Sequence, residues 1–120
     1  MFASAKKVDN IIVTVDFNGQ QIDGSTKDVL DLGNLKLKLE AFGWKVFEIY
    51  NGNSLEEIYN VMIEAKNSLG KGSPILILMK TIMGNGVDFM MNTHKWHGVA
   101  PNDHELEIAL NQNPETLGDY

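Results

Sequence analysis

The stretch NIIVTVDFNGQQIDG, residues 10–24, decides how the chain folds. Ile11 to Phe17 is a nearly unbroken run of β-branched and apolar residues, the pattern of a strand buried on both faces of a parallel sheet. The run ends in Asp16-Phe17-Asn18-Gly19, and Gln20, Gln21 and Ile22 lead into a second turn at Asp23-Gly24. A hairpin needs only one Asn-Gly. Two consecutive turns that display an amide pair and an isoleucine ask for a further reason.

Outward from that stretch, WKVFEIY (44–50) and PILILMK (74–80) repeat the apolar run and predict two more strands. NLKLKLEAFGW (34–44) reads two ways: Leu35, Leu37 and Leu39 alternate like a strand, and Leu35, Leu39 and Phe42 share a helical face. Gly43 as a stop signal decides for a helix. Residues 54–69 predict the clearest helix. Ser54 caps it, Glu57 completes a capping box, and Leu55, Ile58, Tyr59, Met62, Ala65 and Leu69 form one apolar stripe, ended by Gly70 and Gly72. An irregular stretch spans 83–101. Asn102 with Glu105 starts a last helix carrying Leu106, Ala109 and Leu110, and NQNPETLGDY (111–120) reads as a frayed tail. MFASAKKVD (1–9) reads as the last turns of a helix, with Phe2 and Ala5 on one side.

Strands alternating with helices predict an α/β fold: a parallel sheet with flanking helices and right-handed crossovers. Ligands of such sheets sit outside the carboxyl ends of the strands. The residues that fall there are Asn18 to Asp23 and Gly84 to His97, two loops sharing one edge.

Composition narrows the function. The 120 residues are 43 % hydrophobic and 22 % charged, ordinary for one soluble domain or less. The net charge of −6, with Lys6-Lys7 the only adjacent basic pair, argues against nucleic acid. There is no cysteine, which excludes disulfides, thiolate zinc sites and thiol nucleophiles. The longest apolar run, PILILM, is far short of the ~20 residues of a membrane helix. No signal-peptide core is present, so a cytoplasmic location is expected.

The polar candidates each carry a plain reading as well. Asn18-Gly19 at a strand end is a turn, since both residues tolerate positive φ. Alternatively Asn18 offers a hard neutral oxygen to Mg²⁺ or Ca²⁺, with the Gln20 carbonyl a second; Mg²⁺ wants six. His94 and His97 in HKWHG have a zinc-compatible spacing but lack a nearby third ligand, and His104 lies at a helix start. They are loop histidines beside Trp96, or groups for phosphate contact or proton transfer near neutral pH. KTIMGNG (80–86) has a Gly-x-Gly without the rest of a phosphate-binding motif.

Together, VDNIIVTVDFNGQQIDG, LEAFGWKVFEIYNGN, SPILILMKTIMGNGVDFM and HKWHGVAPND closely resemble, in order and spacing, the thiamine-diphosphate-binding N-terminal part of transketolase. The resemblance covers residues 1–112 and leaves 113–120 as a tail. HKWHGVAPND is most similar to the split type, in which this half is its own subunit. The resemblance implies transfer of a two-carbon ketol unit between sugar phosphates, with thiamine diphosphate and Mg²⁺ as cofactors. It implies two partners, a C-terminal transketolase subunit or domain and a second copy. It assigns the Asn18 side chain and the Gln20 backbone carbonyl to the metal and Ile22 to the thiazolium ring. His94 goes to the diphosphate and the reacting centre, with His97 continuing that motif. Lys80 and Gly84 align with the loop after the third strand without a defined role. A deoxyxylulose-phosphate synthase shares this layout, and a non-catalytic subunit-pairing module is the reading outside catalysis.

The departures set further expectations. The family's Gly-Asp-Gly motif, whose aspartate is the anionic metal ligand, is missing from the residues before Asn18. The glutamate that activates the aminopyrimidine is also missing; it comes from the other half. The expectation is a partial domain cut upstream of Asn18, with Met1 an internal methionine and the isolated chain inactive.

Overall fold

The computed structural model describes residues 1–114. Its elements are α1 (Phe2–Ala5), β1 (Ile12–Asp16), β2 (Gln20–Gln21), β3 (Gly24–Ser25), α2 (Thr26–Val29), α3 (Leu35–Ala41), β4 (Lys45–Ile49), α4 (Leu55–Lys66), β5 (Ile75–Met79), a single 3₁₀ turn (His94–Trp96) and α5 (Asp103–Gln112). β1, β5 and β4 form the parallel sheet, in that order, and β2 and β3 form a short antiparallel ribbon. Each of the three long strands is one residue shorter at either end than the apolar run that predicts it.

β5 is central because its chain is apolar on both faces: Ile75 and Ile77 on one side and Leu76 and Leu78 on the other are all buried. α4 seals one face. Ile49, Ala65, Ile75 and Ile77 make the core, with Ile58, Val61, Met62 and Leu69 packed against it. The expectation that β1 is buried on both faces is corrected. β1 is an edge strand, Thr14 and Asp16 are exposed, and none of its residues is fully buried. A β-branched run with a threonine and an aspartate at alternate positions is compatible with one open side, which the uninterrupted apolar count hides.

The helix readings hold with local corrections. α3 is a helix, capped by Asn34 Oδ1 on the Leu37 amide at 3.0 Å and closed by Gly43 at φ 82°. The α5 capping box forms in full: Asn102 and Glu105 each accept the other's backbone amide, at 2.9 and 2.8 Å. The α4 box is only half made. Ser54 Oγ accepts from the Glu57 amide, but the Glu57 carboxylate turns to the Asn51 amide at 3.0 Å instead. Leu55 (84 % exposed) and Tyr59 (66 %) leave the expected stripe for the outer face, because the single contacting sheet covers a narrower sector of α4. The tail reading is corrected at its start. Asn111 and Gln112 complete α5, and Gln112 and Asn113 bond to Asp88 and Gly86. The rest of that reading, from residue 115, lies outside the described residues.

The radius of gyration is 17.5 Å and the principal extents are 52 × 38 × 19 Å. A compact chain of this length would give about 13.5 Å. The molecule is a thin slab, so large apolar side chains such as Phe2, Leu30, Leu55, Tyr59 and Leu110 stay exposed. Among the described residues no helix is long and apolar enough to cross a membrane.

Candidate functional site

Parallel pairing of β1 with β5 sets Asp16 opposite Met79, so the two loops that follow leave from one edge of the sheet. The ladder continues one step further, with the Phe17 amide donating to the Met79 carbonyl at 2.8 Å. Beyond it, the Thr81 hydroxyl donates to the Asp16 carboxylate and bridges the two loops.

The first loop is held by Asn18. Its Oδ1 accepts the Gln20 amide at 2.8 Å, and its Nδ2 faces Asp16 Oδ2 at 3.4 Å. This is the turn chemistry that Asn favours: the side chain replaces a backbone acceptor two residues on. Gly19 takes φ 73°, with nothing within 4 Å of where a Cβ would sit. The chain then runs into the β2–β3 ribbon, whose tip is Ile22-Asp23 and whose base is tied by the Thr26 amide to the Gly19 carbonyl at 2.9 Å. Ile22 is 66 % exposed at that tip, a large apolar side chain pushed into the open. The ribbon and α2 were not foreseen. Ser25 capping the Asp28 amide was the legible signal for α2.

The second loop closes on itself. The Asn92 amide donates to the Met83 carbonyl at 3.2 Å. Gly84 admits the Met90 carbonyl so closely that a Cβ would meet it at 2.5 Å. Val87 is buried in the loop, and the Trp96 indole donates to the Phe89 carbonyl at 3.1 Å while its ring meets Phe89 edge-on at 5.1 Å between centroids. His94 opens the 3₁₀ turn, half-buried, and His97 follows it, exposed. Among the described residues no hydrogen bond or ion pair joins either histidine to residues 18–22. The structure therefore brings the roots of the two loops together at the carboxyl edge of the sheet. No cluster of three or more His, Cys, Asp or Glu side chains suited to a metal occurs among the described residues.

Two cavities flank the first loop. One, of about 220 Å³, lies between the start of α3 and the sheet and is lined by Phe17, Asn34, Lys36, Glu48, Leu78 and Lys80. Lys36 and Glu48 pair across it at 2.9 Å; that hydrogen bond and the Glu48 charge raise the Lys36 ammonium above its ordinary pKa. Lys80 reaches over the Tyr50 ring, 4.4 Å from its centroid. The other, of about 300 Å³, is an apolar groove lined by Gln21, Thr26, Val29, Leu30 and Leu32. Gln21 Nε2 is buried with no hydrogen-bond partner among the described residues. Neither cavity includes a histidine. Sequence reasoning missed Asp16 and Thr81, whose only signal was a carboxylate at a strand end.

Residues 1–115 match the family model described as transketolase, thiamine diphosphate binding domain. The chain is 32 % identical over 117 residues to an apulose-4-phosphate transketolase subunit of Phocaeicola vulgatus, covering 98 % of this chain and 41 % of that protein. It is 40 % identical over 89 residues to the 6-deoxy-6-sulfo-D-fructose transketolase subunit SqwG of a Clostridium species, covering 74 % of this chain and 31 % of that one. It superposes on transketolase from Campylobacter jejuni with a TM-score of 0.82 at 32 % identity, over 92 % of this chain and 17 % of that chain. For the Leishmania mexicana enzyme the TM-score is 0.83 at 28 % identity, over 92 % and 16 %. The chain thus spans less than half the length of these relatives, and with that fold, order of loops and match it belongs to the transketolase family, within the thiamine-diphosphate-binding domain.

Proposed function

We propose that this chain supplies the metal-and-diphosphate corner of a split transketolase, a thiamine-diphosphate- and Mg²⁺-dependent enzyme that moves a two-carbon ketol unit between sugar phosphates. The observation that carries the reading is Asn18, an amide fixed at the carboxyl edge of the sheet beside Gln20, in a chain of this family.

The donor set fits the cofactor in part. Asn18 Oδ1 spends one lone pair on the Gln20 amide and keeps a second, since an amide oxygen has two. With the Gln20 carbonyl it gives two neutral oxygens of the six that Mg²⁺ takes. The reading draws the others, an anionic one included, from the diphosphate, water and protein beyond these residues. Exposed Ile22 suits an apolar contact with a flat ring. In this reading His94 holds the diphosphate or stabilises developing oxyanion charge, an effect of roughly 10²–10⁴-fold. Thiamine diphosphate, when bound, supplies the electron sink for carbon–carbon bond cleavage.

The partners in this reading are a C-terminal subunit, which completes the pair, and a second copy of that pair. The setting is cytoplasmic. Two of the relatives are named as subunits, which supports the split arrangement and favours transketolase over a deoxyxylulose-phosphate synthase. The isolated chain is expected to be inactive and to bind cofactor weakly. Titration calorimetry with thiamine diphosphate and Mg²⁺ tests this. Weak binding that tightens when a Gly-Asp-Gly-containing fragment is added supports the reading, and tight binding by the chain alone contradicts its ligand count. The open β1 edge and the exposed apolar side chains favour, as a second reading, a non-catalytic module that pairs with other subunits. Partner binding unaffected by an Asn18→Ala change, with no cofactor dependence, would favour it.

A further inference from the structure

Asn18 can serve a cation only if its amide points the right way. Oxygen and nitrogen of an amide are nearly identical in shape, and a 180° flip would aim two N–H groups where a ligand oxygen is needed. Two neighbours oppose the flip. The Gln20 amide needs an acceptor and takes Oδ1 at 2.8 Å; the Asp16 carboxylate needs a donor and takes Nδ2 at 3.4 Å.

Asp16 is exposed, and a free carboxylate there would swing into water. It is held instead by the Thr81 hydroxyl, across the two loops. Thr81 is itself fixed from the far side. The Gly52 amide donates to the Lys80 carbonyl at 2.7 Å, and a Cβ on Gly52 would lie 2.7 Å from the Thr81 methyl and 2.9 Å from the Lys80 carbonyl oxygen. Gly52 is buried, so the Lys80-Thr81 backbone sits tight against the Asn51-Gly52 turn. The Ile82 amide adds a bond to Asn53 Oδ1 at 2.8 Å.

We propose that Asp16 and Thr81 are positioning residues for Asn18, a relay in which the end of β5, wedged on Gly52, sets the orientation of the amide that the cation uses. The relay rests on the reading of Asn18 as a metal ligand. It goes beyond that reading in naming what presents the oxygen and in tying the loop after β4 to the site. Outer contacts of this kind typically carry 10–100-fold in metal affinity.

The test uses the full ¹⁵N-labelled chain, with the Asn18 side-chain amide pair assigned from its loss in Asn18→Asp. Without any ligand, Thr81→Val is expected to move that pair toward the position of a free amide, and Thr81→Ser to restore it. With Mn²⁺ and pyrophosphate as the probe, Thr81→Val is expected to weaken binding about 10-fold, and Thr81→Ser to return it to within about 2-fold of the parent on the same scale. Gly52→Ala, which crowds Thr81, is expected to follow Thr81→Val. An Asn18 pair unchanged in Thr81→Val, or Thr81→Ser no better than Thr81→Val, overturns the relay. If Mn²⁺ leaves the Asn18 region unperturbed in the parent chain, the metal reading fails, while the ligand-free spectra still decide whether Thr81 orients the amide.

Discussion

β1 (Ile-Val-Thr-Val-Asp) and β5 (Ile-Leu-Ile-Leu-Met) lie side by side in register, yet four residues of β5 are buried and none of β1 is. Both are short apolar runs. One is the spine of the fold and the other is its rim, and they are separated by two polar positions, Thr14 and Asp16. Those positions do opposite work. Thr14 marks the open side of the edge strand, and Asp16 begins the polar network at the carboxyl edge. Stability is concentrated in β5 with α4, and the proposed chemistry in the loop after β1. Changes to the two strands should therefore fail in different ways.

The largest effect is expected for Ile77→Ala. It empties a site only 1 % exposed and should cost about 2–5 kcal/mol. In so thin a slab this should unfold much of the chain at room temperature in a urea titration. Val15→Ala on the edge strand should cost about 1 kcal/mol, since its side chain is only half-buried; equal losses at the two sites would erase the distinction between spine and rim.

Trp96→Phe keeps an aromatic ring against Phe89 and removes the hydrogen bond to its carbonyl. The expected loss is about 1 kcal/mol, with the amide signals of residues 83–97 shifting and those of β5 still. The mirror image, shifts in β5 and a quiet loop, would mean that the second loop is not a closed unit. Ser54→Ala, which removes the one formed half of the α4 box, should cost about 1 kcal/mol or less by thermal melting.

The smallest effect is expected for Lys36→Met. The folded Lys36 pKa is raised by Glu48, so the pair's contribution is fully present below the ordinary value of 10.5 and is lost as pH rises through the raised value. The melting difference between parent and variant should be slight at pH 7 and vanish at more alkaline pH. A difference that grew instead would reverse the sign of the coupling.

Much of this was legible in the sequence because it is local. Ser54 and Asn102 are caps, Gly43 is a stop, and three apolar runs are three strands, each read to within a residue of its ends. Strand order is not local: β5 lies between β1 and β4, and no hydropathy pattern states that. The same holds for Leu55 and Tyr59, whose exposure depends on how little of α4 the sheet covers. Asn18, Gln20, Ile22, His94 and His97 were visible as residue types at a strand edge and as a family pattern. Asp16 and Thr81 were not, since their meeting joins positions far apart in the chain through the β1–β5 register.

The central claim is that residues 18–22 and 94–97 form two sides of one diphosphate–cation site, although no hydrogen bond joins them among the described residues. Paramagnetic broadening of amide signals by Mn²⁺ in the presence of thiamine diphosphate tests it, because broadening registers even weak, partial occupancy. The account predicts loss of signal in both segments, scaled down together by Asn18→Ala. Broadening confined to one segment, or centred on the acidic start of α4 or α5, would contradict it.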